Sequence, residues 1–421
     1  MKYLMYSESG EGAGILQRIK AEGNNTSLFI KDPIYKDVYK GILDPWDGKS
    51  NSSDEIVIFD ISGNGKIAGQ FKKQGTKIYG ASSFADNLEF DRDLGFAQMV
   101  AYGIKVPTTK TFKTFAAGLQ YIKNAGKDQR LVFKPNGSMP CKLTFVSKDN
   151  EELIEYLNFV EKVYGSKIDD FVLQDFIEGV VVSSEFFCDG KKFLRPCNHT
   201  VEVKKAMNDE LGPSTGCSGN ITWLCDGCKL CQEGVEKIEE LCVCEGYVGQ
   251  IDLNAVINDD GVFGLEWTPR MGYDATPTFL TLLDIEYSEF FSKIVEGTLR
   301  SIPASYDYAG AVRFSIPPYP VELLKGKDPE DFSESESVPI LNWEKHQENI
   351  YFYEVRCEDG RLVHSSGTGV IGIAFDQARY PEECLVKPMK ILEDIHLPDK
   401  GYRTDLGRVL SKMISELERY I

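Results

Sequence analysis

The chain has 421 residues, enough for about two to four domains and for several hydrophobic cores that need neither disulfide nor metal to fold. Hydrophobic residues make up 42% and charged residues 27%, an ordinary globular balance. Basic side chains number 47 and acidic ones 65, a net charge of −18 with pI near 4.8, which opposes binding to duplex nucleic acid and to anionic membrane surfaces.

A nucleotide site in so acidic a chain must gather its lysines and arginines locally. No apolar run approaches the roughly 20 residues that span a bilayer. Met1–Tyr6 gives way to Ser7-Glu8-Ser9-Gly10 too early for the apolar core of a secretory signal. A cytoplasmic protein is expected, with its eleven cysteines as reduced thiols.

In chain order, a strand at Lys2–Tyr6 leads through the glycine-rich turn Ser9-Gly10-Glu11-Gly12-Ala13-Gly14 into a helix at Ile15–Ala21. Strands at Ser27–Ile30 and Glu55–Asp60 follow, and this alternation predicts a parallel α/β sheet. A helix over Asp91–Tyr102 ends before Gly103–Pro107, a domain junction because Pro107 cannot continue a helix. Next come strands at Arg130–Pro135 and Leu143–Ser147, a helix at Asn150–Tyr164, and strands at Phe171–Phe176 and Val181–Cys188. Asp189-Gly190 marks a hairpin. A helix is read at Gln232–Leu241, then paired strands Val248–Ile257 and Phe263–Trp267 around the turn Asp259-Asp260-Gly261. Pro303–Asp307 is a second boundary, and Lys325–Val338 reads as an exposed loop. Strands Ile350–Arg356 and Leu362–Ser366 flank Asp359-Gly360, and a helix at Leu406–Ile421 closes the chain.

Three constellations carry chemistry. Glu266 and Thr268 share one face of a strand by period-two alternation, and Asp252 can lie opposite them on its neighbour. Carboxylates converging with a neutral oxygen suit Mg²⁺, against the alternative of a solvated acidic face. Arg270, two residues on, is placed to hold a carboxylate or a transferring phosphoryl group. Lys134 ends an apolar strand, as an edge charge or as a phosphate contact, and Lys142 follows the turn Gly137-Ser138-Met139-Pro140, so two cations can flank a mobile loop. Lys204-Lys205 and Asn208-Asp209-Glu210 precede Gly212–Gly219, whose small residues let backbone N–H groups approach an anion, against the alternative of a plain flexible loop.

In this order, these segments resemble the glycinamide ribonucleotide synthetase (phosphoribosylamine–glycine ligase) family of the ATP-grasp superfamily. Lys204–Gly219 resembles the family's Lys-Arg through Gly-Pro-Asn-Thr-Gly-Gly-Met-Gly, and Glu266-Trp267-Thr268-Pro269-Arg270-Met271-Gly272 its Glu-Phe-Asn-x-Arg-Phe-Gly. Leu88-Glu89 before Arg92, Lys134–Val146, Gln174–Gly179 and Gly401–Gly407 resemble further family segments, so nearly the whole chain is covered. The resemblance implies an α/β and α+β multidomain fold. Residues 1–107 form a Rossmann-like domain, 108–302 an ATP-grasp domain with a small lid subdomain over about 113–188, and 303–421 a small C-terminal α+β domain. It further implies ATP contacts from Arg92, Lys134, Lys142, Gln174, Asp175, Ile177 and Glu185, and Mg²⁺ (Mn²⁺ as an alternative) on Asp252, Glu266 and Thr268. Arg270, Lys142 and Asp209 take catalytic roles, and Gly10, Ser214, Thr215, Gly216, Ser218 and Arg270 contact substrate.

The departures bear on substrate. Where the family's first loop carries arginine and histidine, this chain has Ser7-Glu8-Ser9-Gly10-Glu11-Gly12-Ala13. The family's Asp-Pro-Glu after the last glycine is Tyr273-Asp274-Ala275, its ribose-binding glutamate falls on Val181 with Glu185 on the same strand face as a substitute, and its asparagine metal ligand is Thr268. The resulting reading is a ligase that joins a carboxylate, glycine or another amino acid, to a small-molecule amine through an acyl phosphate, giving ADP and phosphate. An authentic phosphoribosylamine–glycine ligase and a non-catalytic ATP-binding protein are the rival readings. No membrane or duplex partner is expected, and the chain is a monomer or homodimer.

Cys225-x-x-Cys228-x-x-Cys231 with Cys242-x-Cys244 suggests a zinc site from the pairs Cys228/Cys231 and Cys242/Cys244. A helix is expected between the pairs, so these are read instead as ordinary reduced thiols. Cys141 and Cys217 lie in expected site loops, and His199 is read as a local hydrogen-bond partner.

Overall fold

The computed structural model describes residues 1–126, 129–136, 143–305, 307–320, 337–365 and 367–420. The turn 137–140, Cys141, Lys142, Ser366, Ile421 and most of the loop expected at 325–338 lie outside the described residues.

The apolar run Tyr3-Leu4-Met5-Tyr6 forms the middle of β1 (Lys2–Ser7), buried on both faces as the central strand of a parallel sheet must be. α1 (Ala13–Ala21), β2 (Asn25–Ile30), β3 (Asp44–Pro45), β4 (Glu55–Phe59), α2 (Gly65–Lys73) and β5 (Lys77–Tyr79) follow. The sheet order is β3-β2-β1-β4-β5, all parallel, with Tyr6 in register with Phe29 and Phe59. The chain leaves β1 toward β2 on one side and reaches β4 on the other. That reversal opens a crevice at the C-terminal strand ends, where Ser7–Gly12 and Asp60 sit. α3 (Ser83–Phe90) and α4 (Arg92–Ala101) are capped by Ser82 Oγ accepting from Ala85 N–H and Asp91 Oδ1 accepting from Leu94 N–H, each at 3.0 Å.

A separate four-stranded antiparallel sheet comes next. β6 (Thr109–Phe112), α5 (Phe115–Asn124), β7 (Leu131–Pro135), β8 (Phe145–Val146), α6 (Asn150–Tyr164) and β9 (Phe171–Asp175) pair in the order β6-β9-β7-β8. Its core is its own: Phe115, Ile122, Leu131, Phe133, Leu157 and Phe171 pack together without joining the main cluster. The strand expected at Leu143–Ser147 shrinks to two residues, an edge with little to pair against.

The remaining chain builds one large sheet. β10 (Val180–Asp189), β11 (Phe193–Lys205), β12 (Ser214–Cys225), α7 (Lys229–Glu233), α8 (Glu239–Cys244), β13 (Val248–Asn258), β14 (Gly261–Thr268), α9 (Ala275–Leu280) and α10 (Tyr287–Glu296) lead to β15 (Tyr308–Ser315). Then come β16 (Ile350–Phe352), β17 (Val355–Glu358), β18 (Arg361–His364), β19 (Val370–Ala378), α11 (Val386–Asp394), β20 (Gly401–Tyr402) and α12 (Leu406–Leu417). The order is β14-β13-β10-β11-β12-β15-β19-β16, with β20 on β15, while β17 and β18 form a separate hairpin. The sheet runs unbroken past residue 303, because β12 pairs with β15 (Gly219 opposite Val312). No helix among the described residues is long and apolar enough to cross a membrane.

Three expectations change. Gly212–Gly219 is not a loop: from Ser214 onward it is the first half of β12. The helix expected at Gln232–Leu241 is broken at Gly234 (φ −113°, ψ −118°), where a Cβ would meet the Leu230 carbonyl oxygen at 2.6 Å. The strand expected at Ile350–Arg356 splits into β16 and β17, which join different sheets.

Candidate active site

The β13–β14 pair forms the floor. Asp252 lies opposite Thr268 and Asn254 opposite Glu266, so alternation turns all four toward one face. Thr268 Oγ1 donates to Asp252 Oδ2 (2.6 Å), and Asn254 Nδ2 reaches the same oxygen at 3.0 Å. Asp252 Oδ1 is buried without a hydrogen-bond partner among the described residues. Burial, with the nearby Glu202 charge, pushes the Asp252 carboxyl up to about 7. Asn254 was not among the expected site residues, although it stands two positions from Asp252 and period two alone selects it.

Cations converge above this floor. Glu266 keeps contact with solvent at the cleft mouth. Burial raises its carboxyl, but Lys204, Lys134, Arg92 and Arg270 outweigh that and hold it below the usual range. Burial in turn lowers Lys134 to about 8, against the pull of Glu266. Arg92 stands in the first turn of α4, which the Trp267 indole N–H fixes to β14 by donating to Gly95 O at 3.1 Å. Arg270 Nε donates to Glu89 Oε1 at 3.2 Å, which aims the guanidinium before any substrate arrives.

On the first-domain side the site is acidic. Gly10, at φ +91°, allows the turn after β1, and a Cβ there would meet Val38 at 2.7 Å. Asp60 Oδ2 accepts from Ser7 Oγ (2.6 Å) and Gly12 N–H (2.9 Å). Burial pushes Glu11 up to about 8, with Asp60 adding to the effect, and pushes Asp60 up to about 6. Glu11, Asp60, Met271, Gly272 and Tyr273 line one small cleft. Behind it, Arg313 makes a buried two-pronged pair with Asp274 (2.8 and 2.9 Å), and Tyr353 Oη donates to the same carboxylate. A cavity of about 390 Å³ lined by Ser218, Arg313, Tyr319 and Arg403 opens nearby.

Other expected residues are distributed unevenly. Gln174 is buried on the face of β9 that also carries Lys134's neighbour Val172, and its amide donates to Thr109 Oγ1 at 3.1 Å. Ile177, between β9 and β10, has no backbone hydrogen bond among the described residues. Asp175 points to the other face, where it accepts from Gln129 Nε2 at 2.7 Å. Glu185 lies opposite Asp252, and Asn198 (3.3 Å) and Gln250 (2.6 Å) donate to its two oxygens. Asp209 sits on an exposed turn bonded to Arg408 at 3.0 Å, away from the floor. Thr215 and Ser218 hydroxyls donate to the Lys204 and Lys205 carbonyls (2.8 and 2.9 Å), while Ser214 and Gly216 stay accessible on β12. Cys217 is buried, which pushes its thiol well up. Lys142 lies outside the described residues.

Residues 90–251 match the family model described as "Phosphoribosylglycinamide synthetase, ATP-grasp (A) domain". The phosphoribosylamine–glycine ligase of Leptospira interrogans is 26% identical over 78% of this chain and 77% of its own. That of Corynebacterium ammoniagenes is 24% identical over 97% of both chains. Residues 90–251 thus match a phosphoribosylglycinamide synthetase ATP-grasp domain, and most of the chain is similar to phosphoribosylamine–glycine ligases. This family of the ATP-grasp superfamily comprises ATP-dependent carboxylate–amine ligases. Its fold is the one seen here: the Thermotoga maritima phosphoribosylamine–glycine ligase structure aligns with a TM-score of 0.72 at 19% identity, covering 96% of this chain and all of that one. The biotin carboxylase domain of Hydrogenobacter thermophilus 2-oxoglutarate carboxylase, solved with MgADP and bicarbonate, aligns at 0.60 and 14% identity over 98% of this chain and 93% of that one. ATP with Mg²⁺ is the family's usage. The all-oxygen donor set here, with the unpartnered Asp252 Oδ1 at its centre, fits that ion.

Proposed function

We propose that the chain uses Mg-ATP to phosphorylate the carboxylate of a small amino acid and passes the acyl group to an amine that carries no phosphate at the first-domain loop. The observation that carries the second half is the Glu11–Asp60 pair. Near pH 7 the Asp60 carboxylate at that crevice repels a phosphate, and a cationic amine beside it would draw Glu11 toward its ionised form.

Lys134, Arg92 and Lys204 are suited to the phosphates, and Gln174 with the free backbone groups of Ile177 to adenine. Asp252, Glu266 and Thr268, with Asn254 beside them, would hold Mg²⁺, which offsets charge on the transferred phosphoryl group. Arg270, pre-aimed by Glu89, is suited to the substrate carboxylate and then to the acyl phosphate. Ser214 and Gly216 offer accessible contacts on the opposite wall, and Lys142 remains the candidate for a cation above the phosphates. A cationic amine must lose a proton before it can attack. Glu11, with its carboxyl near neutrality, is suited to take the proton it sheds.

The test is ADP release by the purified chain with Mg-ATP across the twenty amino acids, with and without hydroxylamine, followed by phosphoribosylamine and phosphate-free amines as acceptors. Hydroxamate from one or a few amino acids, and product with a phosphate-free amine but not with phosphoribosylamine, is expected. Efficient phosphoribosylamine turnover would return the chain to the activity named for its relatives. No ADP with any combination would leave a nucleotide-binding protein without ligase chemistry.

A further inference from the structure

The pairing of Cys228/Cys231 with Cys242/Cys244 that the spacing suggests is not what the fold assembles. Cys242 is buried beside Cys188, and Cys244 is exposed on its own. Instead, Cys228 and Cys231 meet a strand that the cysteine spacing does not point to. Cys228 Sγ lies 3.2 Å from Cys231 Sγ and 3.3 Å from His199 Nε2, and Cys231 Sγ lies 3.4 Å from the same nitrogen. Cys197 Sγ is within 4.8 Å of His199 and Cys231, and Cys225 Sγ within 4.8 Å of His199 and Cys228.

Strand geometry explains the gathering. Cys197 and His199 are two apart on β11, so they share a face. Cys225, at the end of β12, is directly opposite Cys197. The turn into α7 then carries Cys228 and Cys231 back over that face. Two groups of donors therefore share His199, one with Cys197 and Cys231 and one with Cys225 and Cys228, and the Cys228–Cys231 contact joins them. A tetrahedral ion with bonds of about 2.3 Å to sulfur and about 2.0 Å to nitrogen needs donor separations of roughly 3.5–3.8 Å, a little wider than the 3.2–3.4 Å among Cys228, Cys231 and His199. The sulfurs are too far apart for a disulfide, whose bond is about 2.0 Å.

The surroundings match a closed site. Cys197, His199 and Cys231 have no exposed surface, and Cys228 has 6%. His199 Nδ1 is held by Ser184 Oγ at 2.9 Å, which turns Nε2 toward the sulfurs, the arrangement that orients a metal-bound histidine. Asn198, between Cys197 and His199, points to the opposite face, where it bonds Glu185 next to Asp252. The cluster thus backs the catalytic sheet without opening onto it.

We propose that His199, Cys228 and Cys231, with Cys197 or Cys225 as fourth ligand, bind one zinc-class thiophilic divalent ion that clamps α7 to the β11–β12 hairpin. The ion is structural, so its presence is read without reference to ligase activity. Full-length chain is made in zinc-supplemented medium, purified without a polyhistidine tag or chelator, and assayed for metals by mass spectrometry. About one zinc per chain is expected, retained through gel filtration and released by a mercurial reagent. Cobalt-exchanged protein is expected to show the near-ultraviolet thiolate-to-cobalt charge-transfer band, which a magnesium site built from oxygens cannot give. The double substitution C228S/C231S loses the metal, whereas C242S/C244S retains it. Should C228S/C231S fail to fold, the cobalt band of the unsubstituted chain still decides. A wild-type chain free of zinc, iron, copper and nickel that shows no cobalt band would overturn the proposal. So would a metal-free chain in which Cys228 and Cys231 form a disulfide.

Discussion

Asp252 concentrates the chemistry of the floor into one side chain. One oxygen is held by Thr268 and Asn254, and the other is buried without a hydrogen-bond partner among the described residues. Substituting Asp252→Asn keeps the shape and removes the charge. It is expected to lower kcat by about a hundredfold or more, the scale on which losing one partner of the transition-state charge slows an enzyme. An Asn variant with unimpaired steady-state turnover would remove Asp252 from the metal set. The same carboxyl is pushed up to about 7, and a metal binds only its ionised form. Mg²⁺ or Mn²⁺ affinity is therefore expected to rise with pH up to about 7 and then level off, roughly tenfold per unit on the acid side. Isothermal titration across that range checks it, and a flat profile would count against it. Asp252, Glu266 and Thr268 were legible in the sequence because a two-residue period and one tight turn bring them together. The thiol–imidazole cluster was not. It depends on the register of β11 against β12, including the bulge between Val203 and Lys205, and no spacing rule carries that across some thirty residues.

At the scale of elements, the small antiparallel sheet stands out because Phe133, Phe171, Leu157 and their neighbours form a core of their own. A unit with an independent core can open and close over a ligand without disturbing the rest. Phe133→Ala is expected to destabilise that unit by about 3–5 kcal/mol. Hydrogen exchange is expected to quicken across Thr109–Asp175 while β10–β15 stay protected. Uniform loss of protection would show that the unit is not separable. The helices and long strands here were legible: Asn150–Tyr164 is recovered residue for residue, since an Asp149 cap and an apolar stripe define it locally. The misread helix at Gln232–Leu241 fails on one residue, Gly234, where a side chain would run into the Leu230 carbonyl and Leu253. Gly212–Gly219 was misread because small residues suggest a loop, and only the pairing with β11 makes it a strand.

For the whole molecule, the buried carboxyls act together. Glu11 and Glu185 are pushed up to about 8, Asp252 to about 7 and Asp60 to about 6. In the unfolded chain they ionise near pH 4. Between about pH 4 and 8 the folded chain therefore holds more protons than the unfolded one, and its stability falls as pH rises through that window. The ligand-free chain is expected to melt at a lower temperature near pH 8 than near pH 6, with Mg-ATP narrowing the gap. A thermal scan in which the melting point climbs over that interval would refute the assignment. The segment order and parallel first sheet were legible at this scale, but the pairing of β12 with β15 was not, because it joins residues some ninety positions apart. That pairing has a practical meaning for anyone hoping to redirect the enzyme by recombination. Residues beyond 303 are not a cassette: a chimera cut there must also match a partner's edge at Gly219–Thr222, hydrogen bond for hydrogen bond. Acceptor preference would thus have to be changed by substitution within the existing frame, not by exchanging its last third.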